Sequence, residues 1–280
     1  ASRQLTPSTL QRLSPFWRTL TRQQRHHVSS LLASRSYATE ADQYYQRHGE
    51  LPLPPVSHSV LFDDDNEPDN DEPEKRSGIL IVGDVHGCFK ELLDLQEAAV
   101  AANDGIPLRW VILVGDLVNK GPESAAVVQY CRQHASRIRA VRGNHDNAAL
   151  LAALGDTNRR QSETYQWVSD LVDEDVTWMS NLPYTLRIPM EGGCCAGLER
   201  DVLIVHAGLR PGVALEDQSI VDMTVLRTVD YTSTENKEST TMSVPCASTW
   251  EGSSHVVFGH DAVRGLQDYP HVTGLDTGCV

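Results

Sequence analysis

An α/β fold is predicted from Gly78 onward, and three observations carry the prediction. Short unbroken apolar runs recur at 79–82, 110–114, 202–205 and 256–258, with a further strand at 138–141, and runs of this length suit strands buried on both faces. Between the first two lies KELLDLQEAAV, where Leu92, Leu93, Leu95 and Ala99 keep a helical spacing. Each run also leads into a polar motif carrying an acid or a histidine: GDVHG at 83–87, GDLVNKGP at 115–122, GNHD at 143–146, VHAG at 205–208 and FGHD at 258–261. Strand, polar loop, then helix is an α/β pattern. In such folds ligands gather at the carboxyl ends of strands, which is where every motif falls.

The residues before Gly78 have a different texture. Residues 1–36 hold six arginines and no acid. Leu10, Leu13, Trp17 and Leu20 recur there at helical spacing, with Arg12, Arg18, Arg22 and Arg25 interleaved. This is the composition of an organelle import peptide. The stretch SRSYATEA resembles a mitochondrial processing site with its cut near Tyr37, so residues 1–37 predict a mitochondrial location. The alternative is a disordered basic arm on a cytoplasmic protein. With no initiator Met, the chain is expected to be part of a longer translation product. Residues 38–77 are expected as a linker. LPLPP favours extended backbone, and the acidic run from Asp63 to Glu74 cannot bury enough apolar surface to fold. That run also lacks the glycine turn and ligand spacing of a calcium loop.

Two later stretches carry no motif. The first, from Gly155 to Asn181, has Trp167, Leu171, Val172 and Trp178 and is expected as a helical cap. The second, from Thr228 to Ser248, is rich in Ser and Thr and is expected as a mobile loop.

Bulk properties narrow the partners. The net charge is −14, so the acidic body offers no extended nucleic-acid surface, and a phosphorylated small molecule or nucleotide must be drawn in by local cations. No apolar run approaches the ~20 residues of a membrane-spanning helix, and no membrane partner is expected. The six cysteines show no C-x-x-C or other zinc spacing, which predicts free thiols in a reducing compartment. Oligomeric state leaves no mark in the sequence.

The motifs gather metal ligands. Asp84 and His86 stand two apart after a strand, so in extended backbone both face the same way and can grip one ion. Gly83 and Gly87 permit the turn around them. Asp116 is the candidate bridge between two ions, Asn144 offers an amide oxygen, and His206 and His260 offer imidazoles. Singly, each histidine reads as an ordinary core or surface residue; as a set the six read as ligands. Oxygen and nitrogen donors without thiolates suit hard to borderline divalent ions. Manganese is placed first, with iron, zinc, cobalt and magnesium as alternatives. Two ions roughly 3.5–4 Å apart can generate a bridging hydroxide and clamp an in-line displacement at phosphorus. His145, beside Asn144, is the candidate general acid. Lys120, then Arg142 and Arg227, are the candidate substrate-binding cations.

These residues resemble the calcineurin-like metallophosphoesterases, in the phosphoprotein-phosphatase branch with its GDxHG, GDxxxxG and GNH[DE] motifs and two later histidines. Within that branch GDLVNKGP, HAGLRPG, VVFGHDAVRGLQ and LDTGCV are similar to the ApaH-like phosphatases, relatives of symmetrical diadenosine tetraphosphatase. The resemblance covers about residues 78–280. It implies two mixed β-sheets packed together and flanked by helices, with a dimetal site at their edge. It also implies one metal on Asp84, His86 and Asp116, the other on Asp116, Asn144, His206 and His260, and His145 as proton donor.

The chain departs from protein phosphatases at Asn119 and Lys120, where those enzymes carry Asp-Arg. Asn119 cannot pair with His145 as a carboxylate does, leaving Asp146 as the candidate to tune that histidine. Lys120 keeps the charge without bidentate geometry. The resemblance therefore implies hydrolysis of dinucleoside polyphosphates, ahead of capped RNA, polyphosphate or phosphoserine/threonine substrates. A non-catalytic phosphate-binding module is the competing class. Relatives also continue beyond the position of Val280, which implies a truncated end and an exposed sheet edge.

Overall fold

The apolar runs become two sheets packed face to face. In a computed structural model the described residues are 54–61, 78–190, 199–235 and 238–280. The basic segment 1–37 and the acidic run of the expected linker lie outside them.

The first sheet is parallel, in the order β2–β3–β4, from β2 (Gly78–Val82), β3 (Leu108–Leu113) and β4 (Ile138–Ala140). The second has six strands in the order β1–β5–β6–β9–β11–β10 and is mixed. It is built from β1 (His58–Val60), β5 (Thr185–Ile188), β6 (Val202–Val205), β9 (His255–Phe258), β10 (Gln267–Tyr269) and β11 (Val272–Gly274). Its central strands β6, β9 and β11 run parallel, and the pairs β5–β6 and β10–β11 are antiparallel. The expectation of two mixed sheets thus holds for one of them. The other is wholly parallel because each of its strands is joined to the next by a helix.

Side-chain alternation along the strands sorts the core into layers. Ile112 and Val114 point into the space between the sheets, where they meet Leu186, Ile188, Ile204 and Val257. Val111 and Leu113 point the other way. There they pack under α1 (Phe89–Ala102), α2 (Ser124–Gln133) and α3 (Asn144–Ala153) through Leu92, Val127, Val128 and Leu150. The outer face of the second sheet buries Leu203, Val205, Val256 and Phe258 against Leu209 and Met223.

The motif-free stretch after Gly155 forms α4 (Thr157–Arg160), a 3-10 segment (Glu163–Asp170) and α5 (Asp173–Ser180). Trp167, Leu171 and Trp178 pack on the helix-side core as a cap, whereas Val172 is half exposed. α6 (Ile220–Val225) follows β6.

Two expectations are corrected. Residues 58–60, inside the expected linker, form strand β1, parallel to β5, and Leu61 is buried between the sheets. Residues 228–245, expected as a loop, form an antiparallel hairpin of β7 (Thr228–Glu235) and β8 (Glu238–Pro245). Thr and Val are good strand formers, and the Ser/Thr composition concealed that.

Candidate metal centre

Five strand ends meet at one place. Asp84 and His86 follow β2, Asp116 follows β3, Asn144 and His145 open α3 after β4, His206 follows β6 and His260 follows β9. Asp116 is the hub. Its Oδ1 lies 3.3 Å from His206 Nε2, and its Oδ2 lies 3.7 Å from His86 Nε2 and 4.0 Å from His145 Nε2. Asp84 Oδ2 is 3.7 Å from His86 Nε2, and Asn144 Oδ1 is 3.1 Å from His206 Nε2. Two groups of side chains close enough to share an ion emerge, His86–Asp116–His145 and Asp116–His206–His260. All of these residues are buried except Asn144 and His145, which are partly exposed.

The backbone is bent to achieve this. Among the described residues six non-glycines have positive φ, and five of them are His86, Asp116, Asn119, Lys120 and His260. Each such residue costs about 1–2 kcal/mol, and strain of this kind concentrates at functional sites. The carboxylates need close backbone as well. A Cβ on Gly143 would stand 2.2 Å from Asp116 Oδ1, and one on Gly259 would stand 2.0 Å from Asp84 Oδ1. Instead the His145 N–H donates to Asp116 Oδ1 (2.9 Å) and the His260 N–H donates to Asp84 Oδ1 (2.9 Å).

The imidazoles are oriented for ligation. His86 Nδ1 faces the Val118 carbonyl at 3.1 Å and His206 Nδ1 faces the Val114 carbonyl at 2.9 Å. A carbonyl only accepts, so Nδ1 carries hydrogen in both rings and Nε2 presents its lone pair inward. Among the described residues the buried Nε2 of His260 meets no hydrogen-bonding partner, the state expected of an atom whose partner is an ion. These donors fit divalent metal. Lys120 Nζ sits 2.8 Å from His86 Nε2, a cation beside the same lone pair.

Electrostatics follow the crowding. Burial pushes Asp84 up to about 7, with the neighbouring Asp116 charge adding to it. At Asp116 burial is outweighed by the imidazoles of His206, His145 and His86, which hold the carboxyl well below its ordinary range. The same pairing lifts His206 to about 9 despite its burial. His260 is pushed down to about 2 by burial, helped by His206 and Arg227. His86 and His145 are lowered, chiefly by burial.

Not every expected residue faces the centre. Arg142, expected as a substrate cation, is fully buried; its guanidinium donates to the Ser180 carbonyl (2.5 Å) and the Tyr184 hydroxyl (3.3 Å), so its role is to tie α5 to the GNHD loop. Arg227 lies at the rim, half exposed, donating to the His260 carbonyl at 3.0 Å. Asp146 does not tune His145. As the third residue of α3 its carboxylate turns back to accept from Gly143 N (2.8 Å) and Leu117 N (2.9 Å), and burial raises it to about 7. The side chain against His145 Nδ1 is that of Asn119, at 3.3 Å, and Asn119 Oδ1 accepts from Trp167 Nε1 at 3.1 Å. Trp167 carried no chemical signal in the sequence.

Comparisons with known proteins agree with this geometry. Residues 78–275 match the model of the calcineurin-like phosphoesterases. A zinc-dependent endopolyphosphatase of Saccharomyces cerevisiae is 25% identical, over 72% of each chain. A symmetrical bis(5'-nucleosyl)-tetraphosphatase of Acidovorax sp. is 28% identical, over 72% of this chain and 88% of its own. A solved structure, "Crystal structure of a putative diadenosine tetraphosphatase", superposes with a TM-score of 0.58 at 31% identity, over 80% of this chain and 89% of that one.

Proposed function

This chain belongs to the calcineurin-like phosphoesterase family, a metal-dependent hydrolase of phosphoester or phosphoanhydride bonds, and on that premise we propose that it cleaves the phosphoanhydrides of dinucleoside polyphosphates. The carrying observation is the convergence of imidazoles from separate loops on the single carboxylate of Asp116. In this reading Asp84, His86 and Asp116 hold one divalent ion, and Asp116, Asn144, His206 and His260 hold the other. Bound there, the ions supply Lewis acidity and an activated water for in-line attack at phosphorus.

The chain's own groups do the rest. Carbonyls of Val114 and Val118 hold the ligand rings in one tautomer. His145 Nε2, on a side chain 30% exposed, is open to the leaving oxygen and donates to it. Lys120 and Arg227 offset the charge that develops on the transferring group. Arg142 is too deeply buried to share that role.

The tetraphosphatase relative and the superposed structure support the dinucleotide. The yeast relative supports inorganic polyphosphate as a second reading, since its name states that activity. Both substrates are chains of phosphoanhydrides. Product analysis by chromatography tests the choice, using purified full chain, Mn²⁺ and diadenosine tetraphosphate. ADP as sole product is expected. Shortening of polyphosphate with no attack on the dinucleotide would select the second reading, and folded, metal-loaded protein that attacks neither would sink both.

A further inference from the structure

The geometry points to Arg264 as a further phosphate-binding cation, one that holds the phosphate next to the one attacked and so favours chains of phosphoanhydrides over single phosphates. The inference rests on the hydrolase reading above and extends the site beyond the residues already assigned to it.

The turn after FGHD builds this cation into the rim. The Arg264 N–H donates to the Asp261 carbonyl at 3.0 Å and the Gly265 N–H to that of Ala262 at 3.2 Å, with Gly265 at φ +66°. So tight a turn folds the Arg264 side chain back onto the Asp261 carboxylate, to which its Nη1 donates. That carboxylate is 4% exposed, and Gln267 Nε2 donates to the same oxygen, Oδ2, at 3.4 Å. The other oxygen, Oδ1, accepts no hydrogen bond among the described residues and has Arg227 Nε 3.8 Å away. Arg227 in turn donates to the backbone carbonyl of His260, a proposed ligand. One buried carboxylate thus faces two guanidiniums at the edge of the metal centre.

A structural ion pair explains only one of them. Either arginine neutralises Asp261, and the other leaves local positive charge on a chain of net charge −14. Both side chains reach solvent, Arg264 at 32% and Arg227 at 47% exposure, and Val263 and Leu266 of the same turn are exposed too. A guanidinium carries five N–H donors, more than the contacts above use. Its planar fork matches phosphate oxygens two at a time. Arg227, against the His260 backbone, serves the group being transferred, as proposed above. Arg264, held one carboxylate further out, reaches the phosphate beyond it. The centre also has two flanks. His145 packs with His86 on one, ring centroids 4.8 Å apart, and His206 with His260 on the other, at 5.0 Å. The leaving phosphate departs toward His145, so the phosphate on Arg264 belongs to the retained half. Orthophosphate and monoesters have no such second phosphate.

Calorimetry on the full chain with Mn²⁺ tests this without turnover. The probes are inorganic orthophosphate and a diadenosine tetraphosphate whose central bridging oxygen is replaced by methylene, so that its central link is not hydrolysed. Arg264→Ala should weaken binding of the analogue relative to orthophosphate by about tenfold or more, the worth of one hydrogen-bonded charge. Arg264→Lys should recover part of that loss, because the charge returns without the fork. Added salt should weaken the analogue more in the wild type than in Arg264→Ala. In turnover, KM for diadenosine tetraphosphate relative to that for p-nitrophenyl phosphate should rise in Arg264→Ala by about tenfold or more. A residue that merely shaped the turn would move both together. Equal losses for the two probes, unchanged binding of both, or a wild type that does not bind the analogue would overturn the inference. Failure to turn over any substrate would count against the hydrolase reading, while calorimetry would still decide whether Arg264 holds a phosphate.

Discussion

At His206 a proton and a metal compete for one lone pair. Without metal, the Asp116 carboxylate 3.3 Å away overcomes burial and lifts this imidazole to about 9, above its ordinary ~6.5. Asp84, raised by burial to about 7, also carries a proton through weakly acidic pH. Both protons must leave when ions bind. Apparent metal affinity should therefore climb as pH rises through 7 and toward 9, then level off. Calorimetry in buffers of different ionisation heat should find protons released at pH 6 and almost none at pH 9.5. Equal release at both values would show that these two groups are not ligands. Gly259 is a second residue where the centre leaves no slack, since any side chain collides with the Asp84 carboxylate. Gly259→Ala should weaken metal binding by about 10–100-fold, in the range of supporting-residue substitutions, with the fold retained. Metal titration of the variant, alongside its circular dichroism, would check both halves.

The strands that place these residues were legible where their sequence was unbroken and apolar. β2, β3, β6 and β9 each carry an apolar run through the core, and the pattern showed itself. Strand β1 did not. Its three residues, His58–Val60, sit between prolines and an acidic run, and only pairing with β5 makes them a strand. Leu61 measures the difference, being 1% exposed between the two sheets. Leu61→Ala should cost about 2–5 kcal/mol, as in any packed core, whereas a leucine in a solvated linker would cost less than ~0.5 kcal/mol. Urea denaturation of the variant decides between them. The residues gathered around Asp116 stood out in the sequence for a related reason, because Gly-Asp, Asn-His and His-Ala-Gly at strand ends are chemical signals within a few residues. The Trp167–Asn119 contact joins residues 48 apart and depends on how the cap docks, for which the sequence carries no local mark. Asp146 misled by adjacency. Next to His145 in the chain, its side chain nevertheless turns back to the start of its own helix.

On the scale of the whole molecule, the proposed ligands divide between the two sheets. Asp84, His86, Asp116 and Asn144 come from the ends of the parallel sheet, and His206 and His260 from the ends of the mixed one. Ions bound among them would fasten one sheet to the other across a buried cluster that otherwise sets three carboxylates, Asp84, Asp116 and Asp146, close together. An unfolded chain scatters these residues over nearly the full length from 84 to 260 and cannot reproduce the site, so metal binds the native state alone. Binding at a hundredfold excess over Kd then stabilises by ~2.7 kcal/mol per ion. For a domain of this size each kcal/mol moves Tm by roughly 2–4 °C. Removing the metals with a chelator should therefore lower Tm by about 5–10 °C for each site emptied, abolish turnover, and restore both on adding Mn²⁺. Protein shown by elemental analysis to have lost its metals, yet melting at an unchanged temperature, would mean the ions do not bridge the sheets.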